Sequence, residues 1–540
     1  MFHPGKPRRP SVIVGCDRTC RFRHRGTWAW APLFCLTVVL CTSLSSATDS
    51  HQALQKAASL IQQGNLEEAD QQVQLALSDP QTRAAACSVL GSIRLRQNRL
   101  SDGVGLLKEA IRLEPRLVGA HLNLAELYTV QGKPELALPL YRQVLTFDPA
   151  NEAARLALAR SETAKGNYKQ SLEVARPALS ALKQSADGLF VLATDYLNTG
   201  EHDAAAGLAH DWMRLPDMGP DWSMKFALLL ARGGVVPEAI DILEEIKQKG
   251  PVSYELAFNL AGTYVLEKHW ALALDSYDQS LSLHPHSVPA LRQGATIAEQ
   301  QGQLERSLSY WIRAKKIEPD DPEILEGYGR VCLKMDLLED AEPALVKAAE
   351  IRSDDASYQY TLAAAKVGKK QFEAAQQLLE GLLKQKPGSA QLQYALGSVL
   401  YLQGHLEDAA HHLRESLRLQ PDQLAPYYYS ALIERDRGHD EEAIRMLQEL
   451  LHRYPDHAPS CEALGSLLMN AHRYSEAEGS LENAVRLNPS SVKANYQLGL
   501  LLTRLGKKDE AEKRLEFAKS LRSQDETNSR LQLRLLDPDQ

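Results

Sequence analysis

The sequence predicts an all-α fold, an α-solenoid of about fourteen stacked helix–turn–helix repeats. Three observations predict it: prolines recur at one fixed interval or a multiple of it, and a small residue and a glycine recur at the same spacing. This interval separates Pro115 from Pro149. A period of about 34 residues is typical of stacked helix pairs. The pairs stack because one pair alone cannot bury its apolar face. The recurring prolines are Pro115, Pro149, Pro251, Pro285, Pro319, Pro387, Pro421, Pro455 and Pro489.

The period divides residues 50–525 into fourteen windows of equal length, with no insertion or deletion. The windows start at residues 50, 84, 118, 152, 186, 220, 254, 288, 322, 356, 390, 424, 458 and 492. Positions in a window are numbered below from 1 at its start. We interpret each window as one helix pair, with the first helix near its start.

Small residues mark the place where the two helices of a pair cross. Position 8 is Gly or Ala in all fourteen windows, and position 20 is Ala in eleven and Gly103, Ser171 or Ser307 in the others. Two helices approach closely only where no bulky side chain separates their axes. We therefore expect positions 8 and 20 at the crossing.

Glycine and proline mark the helix ends. Position 15 is Gly in nine windows, and glycine readily takes the left-handed conformation that ends a helix. Position 32 carries the recurring prolines, which cannot continue a helix and so stop the second one.

The pattern resembles the tetratricopeptide repeat family over nearly all of residues 50–525. The family favours Leu at position 7 and aromatic residues at positions 11 and 24, which Leu124, Tyr128 and Tyr141 match in the third window. The resemblance implies a right-handed superhelix whose inner, concave groove is lined by positions 2, 5, 9 and 12 of the first helices. It also implies that residues 526–540, with their spaced leucines, form a C-terminal capping helix and tail.

Windows four to six depart from the pattern. Pro177 falls late in a predicted second helix, Trp212 takes the place of a small residue, and Pro216 comes one residue early. We expect a local bend or looser stacking there. A partner-binding exception is the alternative.

Residues 1–47 differ in composition from the rest of the chain. They hold seven Lys or Arg and one acid, followed by the mostly apolar stretch WAWAPLFCLTVVLC and the small residues TSLSSA. This order is typical of a secretory signal peptide, with cleavage expected after Ala47. An uncleaved membrane anchor is the alternative, although the apolar stretch is short for a membrane span.

Composition restricts the partners of the remaining chain. The protein is 44% hydrophobic and 24% charged, as globular proteins are, and residues 48–540 carry a net charge of −14. An acidic chain binds nucleic acid and anionic lipid poorly, so we expect neither, and membrane contact only through an uncleaved leader. Cys87, Cys332 and Cys461 are far apart, so no disulfide framework is predicted.

A tyrosine cluster gives the candidate binding site. In the run Tyr427–Tyr428–Tyr429, position 4 should place Tyr427 in the core, position 5 should place Tyr428 in the implied groove, and Tyr429 should lie at its edge. Position 5 is also aromatic in other windows, and Tyr401 at position 12 lies on the same stripe. The alternative is that position 5 only packs against the next repeat. The aromatic residues at position 5 are Phe190, Phe258, Tyr360, Tyr394, Tyr428 and Tyr496.

Two asparagines complete the predicted site. Asn123 and Asn259 occupy position 6, and some relatives hold the ligand backbone with an inner-surface asparagine. Solvated polar residues are the alternative. No window combines the Lys at position 5 and the Asn at position 9 with which some family members bind peptide carboxylates.

No motif indicates catalysis. The sequence lacks a phosphate-binding glycine loop, a His-Glu-x-x-His motif and a Gly-x-Ser-x-Gly motif, and its histidines are scattered. Glu326 and Arg330 are one helical turn apart and are expected to form an ion pair. We therefore expect no enzyme activity, no cofactor and no metal site.

These observations predict an exported scaffold that binds a peptide or a protein along the groove. The alternatives are a subunit of an envelope polysaccharide-export or secretion assembly, a spacer without a discrete ligand, and an enzyme that uses the groove as a substrate site. The sequence does not indicate the oligomeric state.

Overall fold

The computed structural model describes residues 49–216 and 218–525, and this part of the chain contains helices and no strand. It confirms the predicted all-α class: the chain is a solenoid of helix pairs. The proposed signal peptide (residues 1–47), the proposed capping segment (526–540) and Asp217 lie outside the described residues. The hand of the superhelix stays a prediction.

In the third to fourteenth pairs, the first helix begins at the first residue of its window, from Val118 to Val492. In the first two pairs, the first helix begins one residue before its window. None of the described helices combines the length and apolar character that a membrane span requires. The helices are α1 (Asp49–Gln62), α2 (Leu66–Leu77), α3 (Arg83–Arg96), α4 (Leu100–Leu113), α5 (Val118–Val130), α6 (Pro134–Phe147), α7 (Glu152–Ala164), α8 (Tyr168–Ala175), α9 (Leu179–Leu182), α10 (Ala186–Thr199), α11 (His202–Met213), α12 (Pro220–Arg232), α13 (Val236–Lys249), α14 (Tyr254–Leu266), α15 (Trp270–Leu283), α16 (Val288–Gln300), α17 (Leu304–Ile317), α18 (Pro322–Lys334), α19 (Leu338–Ile351), α20 (Ala356–Gly368), α21 (Phe372–Gln385), α22 (Ala390–Leu402), α23 (Leu406–Leu419), α24 (Leu424–Asp436), α25 (Asp440–Arg453), α26 (Ala458–Asn470), α27 (Tyr474–Leu487), α28 (Val492–Arg504) and α29 (Lys508–Asp525).

The described residues form two compact units, one ending at Ser276 and the other beginning at Tyr277. In each unit consecutive helices pack against each other, and first helices of successive pairs also contact, as α3 and α5 do in one unit and α18 and α20 in the other. The core therefore runs from pair to pair inside a unit, as a solenoid requires.

Polar caps begin many of the first helices. Ser287 and Asp321 directly precede α16 and α18, and their side chains accept hydrogen bonds from the backbone N–H groups of Ala290 (3.3 Å) and Ile324 (2.9 Å). Such a cap satisfies a backbone N–H that has no partner within the helix. In these two pairs the residue before the window thus stabilises the start of the first helix.

The crossing of the two helices in a pair leaves no room for a side chain at position 8. A Cβ built on Gly329 would lie 2.5 Å from Cγ of Leu345, which lies at position 24, in the second helix. Two other pairs have a leucine at position 24 as well. That leucine would lie 2.6 Å from a Cβ built on Gly91 in one pair and 2.5 Å from a Cβ built on Gly465 in the other. Contacts below 3.0 Å require displacement, so these glycines allow the leucine to pack on bare backbone.

The turn between the two helices uses a left-handed residue in every pair. Position 15 has a positive φ at the nine glycines and also at Asn98, Lys268, Asp336, Lys370 and His472, with φ of 58–59°. Non-glycine residues adopt this conformation at a cost, because Cβ approaches the following carbonyl oxygen. The packing of the pair therefore imposes the turn even where the sequence lacks glycine.

The irregular windows show a break at Pro177 and a filled core around Trp212. A 3₁₀ turn over Arg176–Ala178 separates α8 from α9, because proline has no N–H to donate within a helix. Trp212 is buried and stacks on Phe226 with ring centroids 4.3 Å apart, and its Nε1–H donates to Ser223 Oγ at 3.2 Å. An aromatic contact thus fills the space around Trp212, and the expected bend or looser stacking of these windows stays a prediction.

Three cysteines lie in the described part of the chain. Cys87, Cys332 and Cys461 are free and buried. Burial raises the pKa of each of the three thiols, which disfavours the reactive thiolate.

Replacing Lys370 with glycine should stabilise the protein. Lys370 is exposed with φ of 58°, so Lys370→Gly removes Cβ strain and is expected to raise the free energy of unfolding by about 0.5–1 kcal/mol. Gly404, at the same position of the next window with φ of 81°, is the matched control. Gly404→Ala should lower the free energy of unfolding by a similar amount. Urea unfolding measures both, and a destabilised Lys370→Gly protein would show that the lysine, not the turn, stabilises this position.

Candidate partner-binding site

Five tyrosines from three successive first helices form one group, called the tyrosine row here. Tyr360 lies in α20, Tyr394 and Tyr401 lie in α22, and Tyr428 and Tyr429 lie in α24. All five belong to the unit that begins at Tyr277. Because the three helices start at the same position of successive windows, the same helix face is presented three times.

Tyr429 is the centre of the tyrosine row. Its ring centroid lies 6.0 Å from that of Tyr394, 5.6 Å from that of Tyr401 and 5.6 Å from that of Tyr428. These separations and the tilted or edge-on geometries are favourable for aromatic pairs. The sequence placed Tyr429 only at the edge of the groove, so its role as the central contact was missed.

Tyr394 is the buried member of the row. Its side chain is 1% exposed and belongs to the apolar core of its unit. Burial, with the nearby Tyr429 and Tyr360 phenols, raises the pKa of Tyr394 well above its usual range. In this conformation Tyr394 supports the neighbouring rings, and its predicted contact with a partner stays a prediction that requires those rings to move.

Tyr360, Tyr401 and Tyr428 are half-buried. Burial raises the pKa of Tyr360, whose phenol is hydrogen-bonded to the side chain of Gln391. The ring of Tyr428 meets the imidazole of His457 edge-on at 5.2 Å between centroids. Each ring therefore keeps part of its surface open to solvent, which a ligand can cover.

Tyr401 carries a polar group at the margin of the row. Its hydroxyl donates to Asp436 Oδ2 at 2.8 Å and accepts from Arg435 Nη2 at 3.2 Å, while Arg435 Nε donates to Asp436 Oδ1 at 2.8 Å. Burial and the hydrogen bond to Asp436 raise the pKa of Tyr401 to about 12. The phenol therefore stays neutral and oriented, beside a charged pair.

Tyr427 does not occupy the core position that its register predicts. It is half-buried, and the guanidinium of Arg453 lies 5.1 Å from its ring centroid and 3.4 Å from its hydroxyl. The ring is longer than the side chains of Ala53 and Cys87, which are buried at the same position of other pairs, and its polar tip extends to a cation.

Tyr496 is separate from this group. Its side chain is 51% exposed in α28, the first helix of the last described pair. Its predicted contact with a partner stays a prediction.

The amides at position 6 join successive helix pairs. Asn123 Nδ2 donates to Ser92 Oγ at 2.6 Å, and Gln497 Nε2 donates to Ser466 Oγ at 2.8 Å, so each amide reaches the first helix of the preceding pair. Asn259 is 3% exposed, and its Nδ2 lies 3.7 Å from Met224 Sδ. Asn123 thus already uses one donor for stacking, and the predicted backbone contacts of Asn123 and Asn259 with a ligand stay predictions.

An ionic cluster joins α16 to α18, the first helices of the two helix pairs before Tyr360. Arg330 Nε donates to Glu326 Oε1 at 3.0 Å, which confirms the expected ion pair. Arg330 also pairs with Glu299, and Lys334 Nζ is 3.2 Å from Glu299 Oε1. Glu299, Glu326, Arg330 and Lys334 are called the ionic cluster below.

The site has the chemistry of recognition. Aromatic faces, a phenol hydroxyl and charge pairs can bind apolar and polar groups of a ligand. Within residues 49–216 and 218–525, no group of three or more His, Cys, Asp or Glu side chains is arranged to hold a metal ion.

Family profiles identify the repeat. Three profiles, each described as tetratricopeptide repeat, match residues 89–152, 360–424 and 462–519, residues 130–189, and residues 427–457. The protein therefore carries tetratricopeptide repeats. This repeat forms scaffolds for protein–protein interaction, and the tyrosine row lies within the matched residues.

Two Arabidopsis thaliana proteins are similar in sequence. Protein CTR9 homolog is 22% identical over 306 residues, which cover 54% of this chain and 28% of that protein. The chloroplastic tetratricopeptide repeat domain-containing protein PYG7 is 35% identical over 77 residues, which cover 14% of this chain and 26% of that protein. The chain thus spans about a quarter of the length of each.

Three solved structures are similar to this chain at TM-scores below 0.5. The Cut9–Hcn1 structure matches at 14% identity with a TM-score of 0.37, covering 79% of this chain and 97% of that one. Yeast Tom70 matches at 15% identity with a TM-score of 0.36, covering 89% and 97%. YrrB, described as a TPR protein with an unusual peptide-binding site, matches at 19% identity with a TM-score of 0.29, covering 34% and 92%.

Removing the Tyr429 ring should cost more stability than removing the Tyr427 ring. Because Tyr429 contacts three other rings, Tyr429→Ala is expected to lower the free energy of unfolding by about 2 kcal/mol. Tyr427→Ala on the same helix removes one cation–ring contact and should cost under about 1 kcal/mol. Urea unfolding followed by circular dichroism measures both, and the reverse order would refute the central place of Tyr429.

Proposed function

We propose that the protein is a non-catalytic scaffold and that its tyrosine row binds an extended segment of a partner protein. The observation that supports this most is the row itself, in which the rings of two successive helix pairs meet at Tyr429, and Tyr360 of the preceding pair packs against the same core cluster. Tetratricopeptide repeats are protein-interaction scaffolds, so the proposal specifies a site within a known role.

The spacing of the helix pairs suits an extended ligand. First helices of successive pairs in contact lie about 10 Å apart. An extended or polyproline segment advances about 3.1–3.3 Å per residue, so three ligand residues match one pair. A partner segment with an apolar residue or proline at every third position would present one such residue to each helix pair of the row.

The tyrosine chemistry favours such residues. A tyrosine ring offers a flat apolar face, and its few rotatable bonds limit the entropy lost on binding. Tyr401 adds an oriented phenol beside Arg435 and Asp436, which can hydrogen-bond the ligand backbone. Binding would be concentrated on Tyr401 and Tyr428, the half-buried rings that flank Tyr429.

Loss of the Tyr428 ring should release the partner. The full chain, affinity-tagged and produced in its native host, is cross-linked, captured and analysed by mass spectrometry. Tyr428→Ala should reduce capture of a specific partner about tenfold or more. A tenfold loss of affinity corresponds to about 1.4 kcal/mol of binding free energy, and an aromatic anchor contributes at least that much. Tyr427→Ala, one residue away on a different face of α24, is the matched control and should capture as wild type does.

The two variants separate the outcomes. Equal capture by wild type and Tyr428→Ala would refute the row as the binding site. Absence of any partner would favour a spacer. A captured partner that belongs to an envelope polysaccharide-export or secretion assembly would extend the proposal to that machinery.

We also propose that the protein is exported. The support is the order of basic, apolar and small residues in positions 1–47. The natively produced protein should then have Thr48 as its first residue, which intact-mass measurement and N-terminal sequencing determine. A chain that retains residues 1–47 in the cytoplasm would contradict export, and retention in a membrane fraction would indicate an anchor.

A further inference from the structure

The ionic cluster contains a buried carboxylate with spare acceptor capacity. The Glu299 side chain is 3% exposed, and its Oε1 faces both Arg330 and Lys334. Its Oε2 is buried and has no hydrogen-bond partner among the described residues. A buried carboxylate oxygen without a donor is costly, so an arriving donor would gain free energy there.

Lys334 is the exchangeable member of the cluster. Its side chain is 42% exposed and 3.2 Å from Glu299 Oε1, whereas Arg330 is 27% exposed and bonds both carboxylates. A lysine ammonium on a flexible stem moves into water at little cost, but a guanidinium with two carboxylate partners does not. Displacement of Lys334 would leave Glu299 with Arg330 on Oε1 and no donor on Oε2.

We propose that the ionic cluster is a second subsite for the same partner segment, and that it accepts a lysine or arginine side chain in place of Lys334. The proposal rests on the function proposed for the tyrosine row. The exchange conserves charge, because one cation leaves Glu299 as another arrives. An arginine fork would also use Oε2, which Lys334 leaves without a partner.

The position of the cluster defines the spacing between the two subsites. Glu326 and Tyr360 both occupy position 5 of consecutive windows, and Thr361 Oγ1 donates to Glu326 Oε1 at 3.3 Å, so α18 and α20 adjoin here. Glu299 lies in α16, two helix pairs before Tyr360 in α20, and two steps of about 10 Å correspond to about six residues of an extended ligand. The partner segment should therefore carry a basic residue about six positions from its first apolar residue.

The proposal predicts opposite effects for two neighbouring substitutions. Glu299→Gln removes the charge that attracts the ligand cation. Lys334→Gln removes the competing cation and leaves that charge exposed to the ligand. A cluster that only joins α16 to α18 would show no gain from Lys334→Gln, because loss of an internal pair cannot strengthen binding elsewhere.

The probe is a phage-displayed library of random dodecapeptides selected on the purified full chain. Wild type should enrich peptides with a lysine or arginine about six positions from an apolar residue or proline. For one such synthetic peptide, the Kd should rise about tenfold in Glu299→Gln and fall several-fold in Lys334→Gln. Lys347→Gln is the matched control, since Lys347 is 46% exposed and pairs with Asp320 instead, and it should leave the Kd unchanged.

The outcomes distinguish failure of the cation subsite from failure of the proposed function. Enrichment of apolar residues without a basic residue, or a basic preference that persists in Glu299→Gln, would overturn the cation subsite and leave the tyrosine row standing. If the selection enriches no peptide sequence at all, both the proposed function and the subsite are overturned. If Glu299→Gln fails to fold, as circular dichroism would show, unchanged or weaker binding by Lys334→Gln overturns the subsite by itself.

Discussion

The close approach of two helices at one small residue is the constraint on which the rest of the structure depends. At Gly329 and Gly465 the leucine of the second helix packs so near the first that a Cβ would lie within 2.5 Å of it. Where the residue is alanine, as at Ala363 and Ala431, it is 0–1% exposed. This contact fixes the distance between the two axes in each pair, and with it the faces left for neighbouring pairs.

The turn after each crossing is a consequence of that packing. Nine glycines take the left-handed conformation without strain, but Lys268 and Lys370 take it as well, at φ of 59° and 58°. The five non-glycine residues take the same conformation as the glycines, so the turn is conserved in all fourteen described pairs. The repeat therefore tolerates local strain so that the packing is preserved.

The candidate site depends on the same regularity. A helix face that recurs once in every window brings the ring of Tyr394 in one pair to 6.0 Å from that of Tyr429 in the next, although the residues are distant in sequence. Regular stacking turns single side chains into a continuous row, and one tyrosine alone would be an ordinary half-buried ring. The ionic cluster forms in the same way, through Glu299 and Arg330 of successive pairs. Both proposed binding sites thus form between repeats rather than within one.

The sequence by itself determined the helical class, the period, the small residues at the crossings and the ion pair of Glu326 with Arg330, because these follow from local chemistry at fixed spacing. The tertiary structure decided which ring is central. Tyr427, Tyr428 and Tyr429 are alike in sequence, and only the neighbouring helices make Tyr429 the centre, place Tyr427 under Arg453 and bury Tyr394. Likewise, no spacing rule indicates that Asn123 donates to Ser92 or that Glu299 lies beneath Lys334. Such contacts depend on side-chain length and direction across two helices, which the period alone leaves open.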